Sequence, residues 1–95
     1  MTDVTGSIGG ADSLPNNDAA LRQYAEEWGR SYDSNRRDKR IGMNYARALR
    51  ALTQHSQAVA VMRGLALTHP RDLEILGAYG KALADDGKLQ EAAKV

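Results

Sequence analysis

The chain agrees with itself at an offset of 34 residues, and that agreement limits its folding more than any other feature. Residues 37–72 read against residues 71–95 place Tyr45 on Tyr79, Ala48 on Ala82, Leu49 on Leu83 and Ala58 on Ala92. Ala46 falls on the small Gly80, and Arg47 on the cationic Lys81. Apolar and small positions in phase over a fixed period describe one supersecondary unit used more than once, each copy burying its face against the next. Ninety-five residues leave room for one small domain. Ala, Leu, Arg, Glu and Lys are plentiful, Phe is absent and Pro occurs twice, so helix is favoured over strand.

Residues 1–16 are rich in Gly, Ser and Asp without a helical period and are expected to form a disordered tail. Gly6-Ser7-Ile8-Gly9-Gly10 lacks the Gly-Lys-Ser/Thr ending of a phosphate loop, and the segment lacks the basic start and apolar core of a signal peptide. Asn16 or Asn17 caps a first helix from Asp18 to Tyr32 or Asp33. Its apolar stripe is Leu21, Tyr24, Ala25, Trp28 and Tyr32, read as a buried seam. Shifted by 34, Tyr24 lies on Ala58 and Trp28 on Met62, so residues 17–38 look like the second helix of a degenerate repeat. Asp33 to Asp38, containing Arg36 and Arg37, is read as a solvated loop.

Asp38 caps a helix over 39–52 with Tyr45, Ala46, Leu49 and Leu52 in phase. Thr53 to Ser56 makes a turn, with Ser56 as cap for a helix over 57–67. That helix buries Ala58, Val59, Val61, Met62, Leu65 and Ala66, and Pro70 closes the unit 39–72. Asp72 caps a helix over 73–86, whose buried face is Leu76, Tyr79, Gly80 and Leu83. Gly87 suits the left-handed conformation that ends a helix. A fifth helix opens at Leu89 and stops with the chain at Val95, so 73–95 is an incomplete repeat with an exposed apolar end.

With Pro70 near the end of the 34-residue pattern, Gly42, Tyr45, Ala46, Leu49, Ala58, Met62, Leu65 and Pro70 fall on the signature positions of the tetratricopeptide repeat, which the chain resembles. Leu76, Tyr79, Gly80, Leu83 and Ala92 repeat them. The resemblance implies an all-α, right-handed solenoid of antiparallel helix pairs, here about five helices with the last truncated. The sequence departs from that pattern at Gly42, where the family prefers a large aromatic, and at Leu65, where it prefers a small residue. More narrowly, the runs 44–52 and 78–88 resemble the repeat region of bacterial Flp (tight adherence) pilus assembly proteins. That likeness implies an envelope protein, anchored as a lipoprotein if the true start lies upstream of Met1 and otherwise cytoplasmic, whose partner is a pilus or secretion component.

Chemistry has little to stand on. Cysteine is absent, so thiolate nucleophiles and thiolate metal sites are excluded. His55 and His69, in turns without accompanying carboxylates at ligand spacing, read as solvated surface, and no metal, cofactor or small-molecule substrate is expected. Asp85-Asp86 sits unfavourably against a helix dipole. A protein interaction scaffold is the expected function, without catalysis. A generic adaptor for an acidic peptide is the alternative. A nucleic-acid binder through the Arg-rich face is a third reading, disfavoured because aromatics do not interleave with the arginines in the sequence. The resemblance puts the first helix of each unit on the concave side. It thereby nominates Arg40, Met43, Asn44, Arg47 and Arg50, followed by Glu74, Gly77, Ala78 and Lys81, as a peptide groove. Residues 39–72 hold six Lys/Arg against one acidic residue, so the groove is expected to be basic, with Arg47 and Lys81 on ligand carboxylates and Asn44 on its backbone. A carboxylate clamp of the chaperone-tail kind is not expected, because Glu74 repels a terminal carboxylate and Ala78 cannot donate to it.

Overall fold

The computed structural model describes residues 14–87. Its elements there are four helices: α1 (Asp18–Ser34), α2 (Lys39–Ala51), α3 (His55–Thr68) and α4 (Leu73–Asp85). Each packs against the next in sequence, and α2 also reaches α4. Connections of three or four residues turn each helix back along its predecessor. The expected fifth helix, and the expected tail as far as residue 13, lie outside the described residues. Leu14 and Pro15, at the end of that expected tail, are half-buried.

The 34-residue period is a period of backbone geometry. α2 and α4 have 13 residues each, and their bounds differ by the repeat length. Asp38 accepts from the Ile41 N–H at 3.0 Å, and Asp72 accepts from the Ile75 N–H at 3.0 Å. Each is the N-cap its sequence predicts. Both helices end alike. Thr53 has φ 60° and Gly87, 34 residues later, has φ 80°. The Thr53 N–H donates to Arg50 and the Gln54 N–H to Leu49, at 2.9 and 2.8 Å. That is the paired closure in which a left-handed residue satisfies the last carbonyls. Gly87 adopts this conformation at no steric cost, whereas Thr53 carries a β-carbon there.

The core is Ala46, Ala48 and Leu49 of α2, Ala58, Val59, Val61, Met62 and Leu65 of α3, and Ile75, Ala82 and Leu83 of α4. Gly42 and Leu65, the two positions that depart from the tetratricopeptide pattern in sequence, are in contact. A β-carbon on Gly42 would stand 2.6 Å from Leu65 Cδ1 and 3.0 Å from Cδ2 and Cγ. Gly42 and Leu65 therefore face each other, and the leucine fills the space that a side chain on Gly42 would need. A second close approach joins α1 to α2, where Gly29 lies under the Tyr45 ring, 3.1 Å from a β-carbon to Cε1. Tyr45 in turn packs on Tyr32 with centroids 5.4 Å apart.

Several expectations are corrected. In α1 only Leu21, Ala25 and Tyr32 are buried. Tyr24 and Trp28 are half-exposed and meet edge-to-face at 6.2 Å. A period of 3.6 shows which residues share a face, and not how much of that face a neighbour covers. In α4 the anchor is Ile75, fully buried, while Leu76, Tyr79 and Gly80 are half-buried. α4 turns Ile75, Ala82 and Leu83 inward because its covered side faces α3 and α2. α3 begins at His55 with Gln54 as N-cap and no side-chain cap bond. Ser56 is not a cap: its hydroxyl lies 3.1 Å from Asp86 Oδ1.

Candidate functional site

Polar contacts fix how α2 and α4 lie together. At their N-terminal ends Lys39 Nζ meets Asp72 at 2.9 Å and Glu74 at 2.8 Å. At their C-terminal ends Arg50 donates from Nε and Nη2 to one oxygen of Asp85, each at 2.8 Å. Start meets start and end meets end, so the two helices run parallel. Hydrogen bonds from the Lys39 ammonium and then the Ile75 N–H hold the Asp72 carboxyl below its ordinary range. The Glu74 carboxylate first, and Asp72 after it, push the Lys39 ammonium above its ordinary range. Two further ties cross between units. His69 Nε2 lies 2.8 Å from the Arg37 carbonyl, and Arg63 Nε donates to the Tyr79 hydroxyl at 2.9 Å. Asp85 and Asp86, unfavourable against the helix dipole alone, each engage a side chain one repeat upstream.

The nominated residues therefore separate. Glu74 is engaged by Lys39, and Arg50 by Asp85. Arg40 leans away from α4, its guanidinium 5.3 Å over the Trp28 ring of α1. Asn44 is buried, with 8% of its surface exposed, so little of its amide reaches a ligand backbone. Met43, Arg47, Arg50 and Ala78 do come together. With Ala46 and Met62 they line a crevice of about 30 Å3 between α2 and α4. Gly77 is exposed beside it, with nothing within 4 Å of where its β-carbon would stand. Lys81, also exposed, lies one turn beyond Ala78 on the same helical row.

The basic loop, residues 33–38, is exposed throughout, as its charge predicts. Arg36 pairs with Asp33 at 3.3 Å and lies 5.2 Å over the Tyr32 ring. Arginine and aromatic side chains, separated in sequence, thus meet at Trp28, Tyr32 and Tyr79. In each pair the arginine takes one ring face, a face that base stacking needs.

A wider depression of about 260 Å3 lies between α1, α2 and the start of α3, floored by Ala25, Tyr45, Leu49 and Leu52 with Arg22 and Gln57 at its rim. Burial first, and Asp33 second, raise the Tyr45 hydroxyl above its ordinary range. One repeat later, the places of Arg22 and Leu52 are held by Ser56 and Asp86, which bond across the gap. Sequence reasoning missed this depression. The signal was there, since the 34-residue shift turns a polar pair into a charged and an apolar residue.

Among the described residues no group of three His, Cys, Asp or Glu side chains is placed to hold a metal ion, and no helix is long and apolar enough to cross a membrane. Compared with known proteins, the chain matches no family model, no curated protein and no solved structure.

Proposed function

We propose that the chain is a non-catalytic interaction scaffold of the tetratricopeptide type, whose α2/α4 face holds an acidic segment of another protein. The observation that carries this reading is the pairing of two parallel, equivalently capped helices around an open crevice. Arg47 flanks it on α2 and Lys81 stands near it on α4, 34 residues apart. Stacked helix pairs present such faces because each unit buries only its flanks and leaves one edge to a partner. The cations confer the sign of the partner, since like charge is excluded and opposite charge is steered in. Within this class, the likeness of 44–52 and 78–88 to Flp pilus assembly proteins makes pilus and secretion components the first partners to try.

The test is a titration of isotope-labelled protein with an acetylated and amidated dodecapeptide of alternating Glu and Ala, followed by amide chemical shifts. Shifts are expected on α2 and α4, lost in the R47E/K81E variant and absent with the corresponding Lys peptide. Binding that survives the double charge reversal refutes the reading.

A further inference from the structure

The outer side of α1 carries charge in an order that fits a copy of itself. We infer that this side is a docking surface for the α1 of a second copy of the chain, laid antiparallel across a twofold axis that passes midway between Arg22 and Glu26.

Asp18, Arg22, Glu26 and Arg30 stand four residues apart. On a helix that spacing forms one ridge, here about 18 Å long. Its charges alternate: negative, positive, negative, positive. All four residues are exposed, as are Ala19, Gln23 and Glu27 beside them. α1 opens the stack and turns Leu21, Ala25 and Tyr32 inward, so the ridge lies on its free side. Opposite charges four apart on one helix can pair with each other. Among the described residues, the ion pairs are those of Arg36, Lys39 and Arg50, and none of the four ridge residues takes part in one. The described helices α2, α3 and α4 carry no run of four charged residues at this spacing.

A ridge of this order is complementary to its own reverse. Across the twofold axis Arg22 meets Glu26 of the second copy and Asp18 meets its Arg30, and symmetry makes each contact twice. Parallel alignment sets every charge against its like. An antiparallel alignment slipped by one turn does the same, placing Arg22 on Arg22 in one direction and Glu26 on Glu26 in the other. Like-charge contacts exclude those arrangements. Direction and register are thus written in the order of four side chains.

Charge pairs at a surface fix the register and contribute little else. The apolar contribution lies next to the ridge. Arg22 and Glu26 line the depression of about 260 Å3 that is floored by Ala25, Tyr45, Leu49 and Leu52. A helix crossing α1 at the usual angle of about 50° passes over that depression and takes its floor out of water. In the next repeat Ser56 and Asp86 bridge the equivalent gap from within, whereas Arg22 and Leu52 leave it open. One helix face and one depression make a small contact, so the dimer is transient, favoured by high concentration and weakened by salt.

The test is sedimentation equilibrium of the full chain over a wide range of concentration, at low and high salt, with R22E, E26R and R22E/E26R. The wild type should dimerise, and more weakly at high salt. R22E and E26R each turn two attractive contacts into repulsive ones and should raise the dimer dissociation constant at least about tenfold. An equimolar mixture of R22E and E26R should associate again, because the introduced carboxylate of one chain meets the introduced guanidinium of the other. R22E/E26R exchanges the signs of both partners and should dimerise as the wild type does. Damage within one chain is not repaired by mixing, so the mixture isolates the contact between copies. A wild type that is monomeric at every concentration overturns the inference. Association that R22E and E26R leave unchanged also overturns it, as do single variants that stay monomeric when mixed. These substitutions do not touch the α2/α4 face, so the scaffold reading stands or falls separately.

Discussion

The contact between Gly42 and Leu65 makes a substitution that should help a helix harm this one. Gly42 lies inside α2, where Ala is favoured over Gly by about 1 kcal/mol. An added β-carbon, however, stands 2.6 Å from Leu65 Cδ1, against an optimum of about 3.5–4.0 Å between carbons. Leu65 must withdraw by about 1 Å, and it is fully buried at 0% exposure, so its neighbours must withdraw with it. Overpacking of this kind costs about 1–3 kcal/mol. G42A should therefore lose about 1 kcal/mol net. L65A alone leaves a cavity and should lose about 3 kcal/mol, within the usual span for a buried leucine. In the double variant the clash is gone, the new methyl occupies part of the cavity, and the helix gain remains. The double loss should fall short of the summed single losses by at least about 1 kcal/mol. Urea unfolding followed by far-ultraviolet circular dichroism gives the three differences. A G42A chain more stable than wild type, or single effects that add within about 0.5 kcal/mol, would refute the reciprocal packing.

Two more outcomes follow from the caps and ion pairs. Thr53 holds the left-handed position that Gly87 holds one repeat later, so T53G should gain about 1 kcal/mol in the same urea assay, whereas T53V should not. The Lys39 cluster gives a pH profile with two edges. Asp72 is depressed below 3.8, so its contribution is full above that value and is lost as pH falls through the lower folded value. Lys39 is raised above 10.5, so its contribution is full below that value and is lost as pH rises through the higher folded value. K39M should flatten the alkaline edge and weaken the acid one, read from thermal midpoints across pH at low salt.

Capping and period carried most of the fold into the sequence. Asn17, Asp38, Asp72 and Gly87 are local signals, each acting on a backbone group within four residues, and each stands where its type predicts. The buried set of α3 was legible because that helix is covered on both flanks, and of the expected residues only Ala66 is left half-buried. α1 and α4 were read less well because coverage depends on neighbours. Trp28 shares the stripe of Leu21, yet Arg40 covers it instead of a helix. The candidate site was legible in composition and not in geometry. Arg40, Asn44, Arg47 and Arg50 all lie on α2, but their roles diverge with what stands opposite: a ring, the interior, the crevice and a carboxylate. Ser56 shows the same limit, because a hydroxyl near a helix start caps only if no better partner comes within reach.

The ties between units also decide how the molecule responds to load. α2, α3 and α4 are fastened along both edges, through Lys39 to Asp72 and Glu74 on one side and through Arg50, Ser56 and the tandem aspartates on the other. Those fasteners sit at opposite margins of the sheet of helices, so a shear that loosens one margin loads the other. α1 meets α2 through the tilted Tyr32 and Tyr45 rings and a guanidinium laid on indole. The stack of helices is thus fastened unequally, by rings and a guanidinium across the α1–α2 seam and by ion pairs and hydrogen bonds between α2 and α4.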